Sequence, residues 1–299
     1  MAEGLVVVDK PAGWTSHDVV AKLRGVFGQR RVGHAGTLDP DATGVLLVGV
    51  GRVTRLLRFL SAADKEYRGT VVFGVATDTL DAAGAVLERT PMSVNRTQLE
   101  PITRRFVGDI EQIPPMVSAV KVGGRRLHEL ARQGIEVERA PRPVHIARID
   151  VEELVPGSYP EAVLRVVCSS GTYIRTLAAD LGAALGGCAH LRDLRRLRIG
   201  SFTLSEARSL DAIAADPEAA LLPPAAAVRD LPARRLGPDE ARAVAHGATF
   251  AARVLVAEDV GDGPFAMLSD DGELLAVYER KGKALKPTVV LADAGERAS

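Results

Sequence analysis

The stretch 31–44, Arg-Val-Gly-His-Ala-Gly-Thr-Leu-Asp-Pro-Asp-Ala-Thr-Gly, cannot belong to a regular helix. Gly33, Gly36 and Gly44 weaken helical order, and Pro40 removes an amide donor. An apolar run at 45–50 follows at once. The segment reads as a rigid turn that holds Asp39 out from the start of a buried strand. Pro40 biases Asp39 toward an extended backbone. A carboxylate held in this way suits a nucleophile or a base. The same residue types also build plain turns in which an aspartate only caps backbone amides, so the rest of the chain must decide.

Of the 299 residues, 46% are hydrophobic and 25% charged, which allows a full core under an ordinary surface. The length suits one large domain plus a small one. No apolar run approaches a membrane span and the N-terminus lacks a signal-peptide pattern, so a soluble, cytoplasmic protein is expected. The two cysteines, Cys168 and Cys188, can form neither a disulfide framework nor a four-cysteine zinc site. Cys188 stands two residues before His190, but no second ligand cluster joins them, and no metal is expected. There is no Walker loop and no Gly-x-Gly-x-x-Gly after a strand; Gly49-Val50-Gly51-Arg52 reads as a turn. No cofactor is expected.

Strands and helices alternate irregularly, which predicts an α+β fold with a mixed, largely antiparallel sheet. Strands are expected at 4–9, 45–50, 67–73, 144–154 and 162–168. A helix capped by Thr15 or Ser16 carries Val19, Val20, Leu23, Val26 and Phe27 on one stripe. Further helices are expected at 56–60, 97–106, 126–133 and 172–185, the last ended by Gly186 and Gly187. The alanine- and proline-rich stretch 212–227 reads as a boundary between domains 1–227 and 228–293. The second should be small and β-rich, with a helix at 236–246 and strands near Val254, Leu274, Val277 and Val289.

The run Gly36-Thr37-Leu38-Asp39-Pro40-Asp41-Ala42-Thr43-Gly44 resembles the nucleophile motif of the pseudouridine synthases, in the form used by the TruB family. Lys10-Pro11-Ala12-Gly13-Trp14-Thr15-Ser16 is similar to that family's first motif. Lys65-Glu66-Tyr67-Arg68 is similar to its tyrosine motif, and Cys168-Ser169-Ser170-Gly171-Thr172-Tyr173-Ile174-Arg175-Thr176-Leu177 to its arginine motif. All four stand in the family's order. The resemblance implies the pseudouridine synthase fold, with an RNA-gripping insertion at about 121–150 and a PUA-like RNA-binding domain at 228–293. It implies an enzyme that isomerises uridine to pseudouridine at position 55 in the T loop of tRNA. No protein partner is expected to be required, and a monomer is the default.

The resemblance also assigns residues. Asp39 is the catalytic nucleophile or base, Arg175 its ion-pair partner and Tyr67 the ring packed on the target base. His34 contacts RNA and helps hold the nucleotide out of its loop. Lys10 and Pro11 shape the pocket wall and stand with the substrate-binding residues. Arg125, Arg126 and Arg142 belong to a basic stretch that runs from Lys121 to Arg148 and is expected to clamp phosphates. Arg192, Arg195, Arg196 and Arg198 form a second basic cluster, so that a basic face accompanies a formal net charge of zero. Asp41 departs from the family, which often has an apolar residue there; it is expected to point to solvent or cap the next segment. A tRNA-binding protein with dispensable catalysis and a guide-RNA-dependent synthase subunit are the rival readings. A glycoside hydrolase built on Asp39 and Asp41 is disfavoured, because its carboxylates must oppose each other at about 5 Å or more across a sugar bond.

Overall fold

The computed structural model describes residues 1–118, 121–122, 124–127, 130, 133–135, 137–251 and 261–291. The strands in chain order are β1 (Gly4–Lys10), β2 (Val32–Ala35), β3 (Thr43–Val50), β4 (Lys65–Phe73), β5 (Val75–Thr77), β6 (Val86–Arg89), β7 (Gly108–Gln112), β8 (Lys121–Val122) and β9 (Arg125–Arg126). They continue with β10 (Arg142–Val155), β11 (Glu161–Cys168), β12 (Ala189–Ile199), β13 (Phe202–Thr203), β14 (Ala233–Arg235), β15 (Phe250–Ala251), β16 (Phe265–Leu268), β17 (Leu274–Lys281) and β18 (Ala284–Val290). The helices are α1 (Ser16–Val26), α2 (Leu57–Ala62), α3 (Arg96–Arg104), α4 (Ile174–Ala184), α5 (Leu210–Ala215) and α6 (Pro238–Ala245).

The main sheet runs β1-β3-β12-β4-β11-β10-β7, with β2 added to β3 and β13 to β12. Every pairing in it is antiparallel except β3 with β12. This is the mixed, largely antiparallel sheet expected. β1 and β3 are buried on both faces, which explains their unbroken apolar runs. Leu5, Val7, Val45 and Leu47 face one cluster, while Val6, Val8, Leu46 and Val48 face another with Val19, Val20 and Leu23 of α1. The α1 helix starts at a Thr15 cap whose hydroxyl accepts from the Asp18 amide, while Asp18 accepts from the Thr15 amide. On the far half of the sheet, Leu177, Ala178 and Leu181 of α4 pack on Val71, Phe73, Leu164 and Val166.

The sheet divides along one edge of β3. β2 pairs with its second half, Leu47 to Val50, and β12 pairs in parallel with its start, Arg195 with Thr43 and Arg196 with Gly44. The chain that leaves β2 at Ala35 cannot stay in the sheet, because β12 takes the next place. Residues 36–42 therefore form the turn that carries Asp39. Gly44 makes this possible: it has φ +102°, and a Cβ there would lie 2.2 Å from the Arg196 carbonyl oxygen.

The boundary stretch 212–227 packs on the first domain: Leu222 exchanges backbone hydrogen bonds with Leu5 at 2.8 and 2.9 Å, and Ala227 and Val228 are buried. Its alanines and prolines pack on the β1 side of the main sheet. The insertion does not extend to 150, because β10 begins at Arg142 and belongs to the main sheet, paired with β7 and β11. Arg126 ends a short strand, and Leu127 and Leu130 are helical as expected of 126–133; the other residues of that helix lie largely outside the described residues, as does the strand near Val254.

The second sheet runs β14-β16-β17-β18-β15 and holds the small β-rich unit. It shares an apolar cluster with the main sheet: Ala266, Leu274, Val277 and Val289 meet Leu56, Leu60, Ile199 and Phe202. Arg55 adds a 2.7 Å hydrogen bond from Nη1 to the Val290 carbonyl.

Candidate active site

The first motif clamps the Asp39 turn. The Lys10 ammonium is fully buried and donates to the carbonyls of Pro11 at 2.8 Å, Trp14 at 2.6 Å and Pro40 at 2.8 Å. The Gly13 amide also donates to Pro40, at 3.0 Å. The buried Ser16 hydroxyl accepts from the Leu38 amide at 2.9 Å and lies 3.2 Å from the Leu38 carbonyl. Residues on both sides of Asp39 are thus pinned by side chains from another segment, and the turn is held rigid. Burial lowers the Lys10 pKa to about 8. Lys10 is not among the residues that line the cavity beside Asp39; it meets the site through the Pro40 carbonyl. Pro11 is exposed. Asp41 is exposed too, as expected.

Arg175 reaches Asp39 from the first turn of α4. Its Nε lies 3.0 Å from Asp39 Oδ2 and its Nη2 3.2 Å from Oδ1. The remaining donors go to the Val117 carbonyl at 2.8 Å, the Thr79 carbonyl at 3.1 Å and Asp81 Oδ2 at 3.2 Å. All five N–H groups of this buried guanidinium are used, so its plane is fixed. The start of α4 is itself held by the buried Gln112, whose Oε1 accepts from the Tyr173 amide at 2.9 Å. Asp39 feels opposing influences. Burial pushes its carboxyl pKa up, Arg175 pulls it down, and Asp81 pushes it up again; the net direction is upward.

Asp39 lines a cavity of about 260 Å³ together with Tyr67, Leu194, Arg175 and Arg196. Tyr67 is buried, and burial raises its phenol pKa, so the hydroxyl stays protonated at neutral pH. A second cavity of about 480 Å³, lined by Asp41, Asp81 and Asp193 among others, opens on the other side of the Asp39–Arg175 pair. The first is the better candidate for a base, because the aromatic ring and the carboxylate meet only there.

The structure brings Asp39, Tyr67 and Arg175 together. His34 lies on β2, outside the cavity wall, with its ring edge-on to His17 at 5.4 Å between centroids. Burial, then His17 and Arg196, drop its pKa to about 4, so the ring is neutral. Its Nδ1 is buried with no hydrogen-bond partner among the described residues. Arg142 is exposed at the start of β10, and the exposed Arg125 donates to Gln133 at 2.6 Å. The Arg126 side chain lies outside the described residues.

Three arginines of the second basic cluster are ion-paired within the fold. Arg192 pairs with Glu161 and Asp193, Arg195 with Asp9 at 2.7 Å, and Arg198 with Glu66 at 3.1 Å. Arg196 points inward, 1% exposed, and donates to the carbonyls of Val45 at 2.7 Å, Gly36 at 3.1 Å and Thr37 at 3.4 Å. Burying a guanidinium costs several kcal/mol, and each hydrogen bond from a charged donor returns about 1.5–3 kcal/mol. Three carbonyls are about enough to hold it there. Arg196, Asp81 and Gln112 were missed from sequence. Over 191–197 an apolar residue recurs at every third position, at Leu191, Leu194 and Leu197, which is not the alternation of a half-buried strand and gave no sign that Arg196 turns inward; nothing in the spacing marks Asp81 or Gln112.

A carboxylate clamped in a rigid turn, an arginine spent on it and a buried tyrosine meet at one cavity. Residues 24–174 match the N-terminal domain model of the TruB family pseudouridylate synthases. Residues 175–222 match the tRNA pseudouridylate synthase B C-terminal domain, and 231–292 the tRNA pseudouridine synthase II C-terminal model. The tRNA pseudouridine synthase B of Thermobifida fusca (strain YX) is 46% identical over 299 residues, covering 98% of this chain and 99% of the relative. That of Symbiobacterium thermophilum is 50% identical over 252 residues, 84% of each. A chain from the structure of an H/ACA RNP bound to a substrate RNA containing 2'-deoxyuridine superposes with a TM-score of 0.75 at 25% identity, covering 98% of this chain and 86% of that one. Fold and site therefore define a pseudouridine synthase, an isomerase. Within that class, the chain belongs to the TruB family.

Proposed function

We propose that this protein converts uridine 55 in the T loop of tRNA to pseudouridine, acting in the cytoplasm as a monomer on the tRNA alone. The convergence of Asp39, Tyr67 and Arg175 on one cavity carries this reading. The target base is extruded from the loop into the cavity at a cost of a few kcal/mol. There the bond from N1 to the sugar breaks, the base turns, and carbon 5 joins the sugar. Asp39 acts as an ionised carboxylate, either as a nucleophile toward the sugar or base, or by taking a proton from the sugar. Arg175 keeps Asp39 ionised against burial and fixes its direction. Tyr67 packs against the base, and its neutral hydroxyl, or a water it holds, assists removal of the final proton from carbon 5. His34, neutral and carrying a free buried nitrogen, holds the vacated loop; Arg125, Arg126 and Arg142 meet its phosphates.

The test is incubation of the purified protein with an unmodified tRNA transcript, followed by mapping of pseudouridine. Modification at position 55 without guide RNA or added protein is expected, and Asp39→Asn should abolish it while tRNA affinity stays within a few fold. Modification only when a guide RNA is supplied would favour the guide-dependent reading instead.

A further inference from the structure

Arg175 and Arg196 both line the cavity, but their charges are committed differently. Arg175 has two carboxylate partners and no N–H to spare. Arg196 has three carbonyl partners and, among the described residues, no carboxylate within 4.0 Å. Two of its five N–H groups go to neither a carbonyl nor a carboxylate among the described residues. It stands directly across from Tyr67 in the β4–β12 register, on the same face, and its guanidinium interacts with the Tyr67 hydroxyl. Lys65, two residues before Tyr67 on that face, is buried as well and donates only to the Ser61 and Ala63 carbonyls, at 2.9 and 2.6 Å. One wall of the cavity therefore holds two buried cations that, among the described residues, form no ion pair.

We propose that Arg196 is a catalytic residue that stabilises the negative charge arising on the uracil ring as its bond to the sugar breaks. The inference rests on the reading of the cavity as the uridine pocket. The bond between N1 and the sugar gives its electron pair to the ring, where the charge spreads over N1 and the two carbonyl oxygens. Arg196 donates a hydrogen bond to that charge and keeps its own proton. When carbon 5 has joined the sugar, the proton it loses is matched by one gained at N1, and the ring is neutral again. A buried, preorganised donor is worth most when charge develops in the transition state. A backbone phosphate is the poorer partner, because Arg196 is almost wholly buried beside the buried Tyr67, and a phosphate would have to give up its water to meet it.

The experiment compares wild type, Arg196→Lys and Arg196→Met under single-turnover conditions on two full-length tRNA transcripts. One carries uridine and the other 5-fluorouridine, and cleavage of the original nucleoside bond is followed after nuclease digestion. Fluorine makes the departing ring a more stable anion and so replaces part of what Arg196 supplies. On uridine, Arg196→Met should be slower by about 10²–10³-fold, with tRNA affinity changed less than threefold. On 5-fluorouridine the loss should be at least tenfold smaller. Arg196→Lys, which keeps a cation in the wall, should recover part of the uridine rate and covers the case in which Arg196→Met does not fold. Equal losses of either soluble variant on both transcripts would overturn the proposal, as would a loss confined to affinity, the signature of a phosphate clamp. A wild type inactive on uridine tRNA would instead overturn the proposed function.

Discussion

Asp39 and Arg175 meet edge to edge, Nε to Oδ2 at 3.0 Å and Nη2 to Oδ1 at 3.2 Å. The remaining guanidinium edge is held by Asp81 and the Thr79 and Val117 carbonyls. An ammonium cannot span that set. Arg175→Lys should therefore keep much of the tRNA affinity and lose at least tenfold in single-turnover rate. Equal rates for the two proteins would show that charge alone matters.

The pH profile follows from the same pair. Burial raises the Asp39 pKa and the ionised form is the active one, so the rate should fall as pH drops through a value above the ordinary carboxylate range. Arg175 lowers that pKa, so Arg175→Met should move the acid limb to higher pH. A limb that stays in place or moves to lower pH would detach it from Asp39.

Lys10 satisfies three carbonyls from inside the fold. Lys10→Met removes all three hydrogen bonds and should destabilise by roughly 3 kcal/mol, since each stranded polar group costs about 1–3 kcal/mol and water reaches some of them. Urea denaturation measures this. Activity lost with unchanged stability would mean that Lys10 contacts substrate after all.

Gly13 and Gly44 both have positive φ, +77° and +102°, but differ in surroundings. Nothing lies within 4 Å of a Cβ at Gly13, whereas at Gly44 it would strike the Arg196 backbone. Gly13→Ala should cost about 1 kcal/mol, as for αL strain alone. Gly44→Ala should cost several times more and displace β12, reducing activity as well. Similar melting temperatures for the two variants would contradict the close approach of β3 and β12.

Removal of residues 228–299 uncovers the cluster that Leu56 and Leu60 share with Leu274, Val277 and Val289. Fully burying each such side chain is worth about 1.5–3 kcal/mol. The truncated chain should melt at lower temperature and lose activity on an isolated T-arm hairpin as well as on whole tRNA. Undiminished hairpin activity would show that the second sheet serves only to bind RNA.

The sequence alone determined the Asp39 turn, the two-sided burial of β1 and β3 and the start of α1, because each depends on local rules: glycine and proline punctuation, apolar runs and capping. Its four motifs carried the family and three of the site's side chains. The clamping of Leu38 and Pro40 by Ser16 and Lys10, the use of every Arg175 donor and the inward turn of Arg196 were decided only by tertiary structure. They arise from pairings between distant segments: β12 displaces the chain after β2 and brings Arg196 opposite Tyr67. A run such as 192–198 shows its charges in sequence. It cannot show which of them meet carboxylates from other strands and which one is buried without one, because that depends on strand order in the sheet and on register.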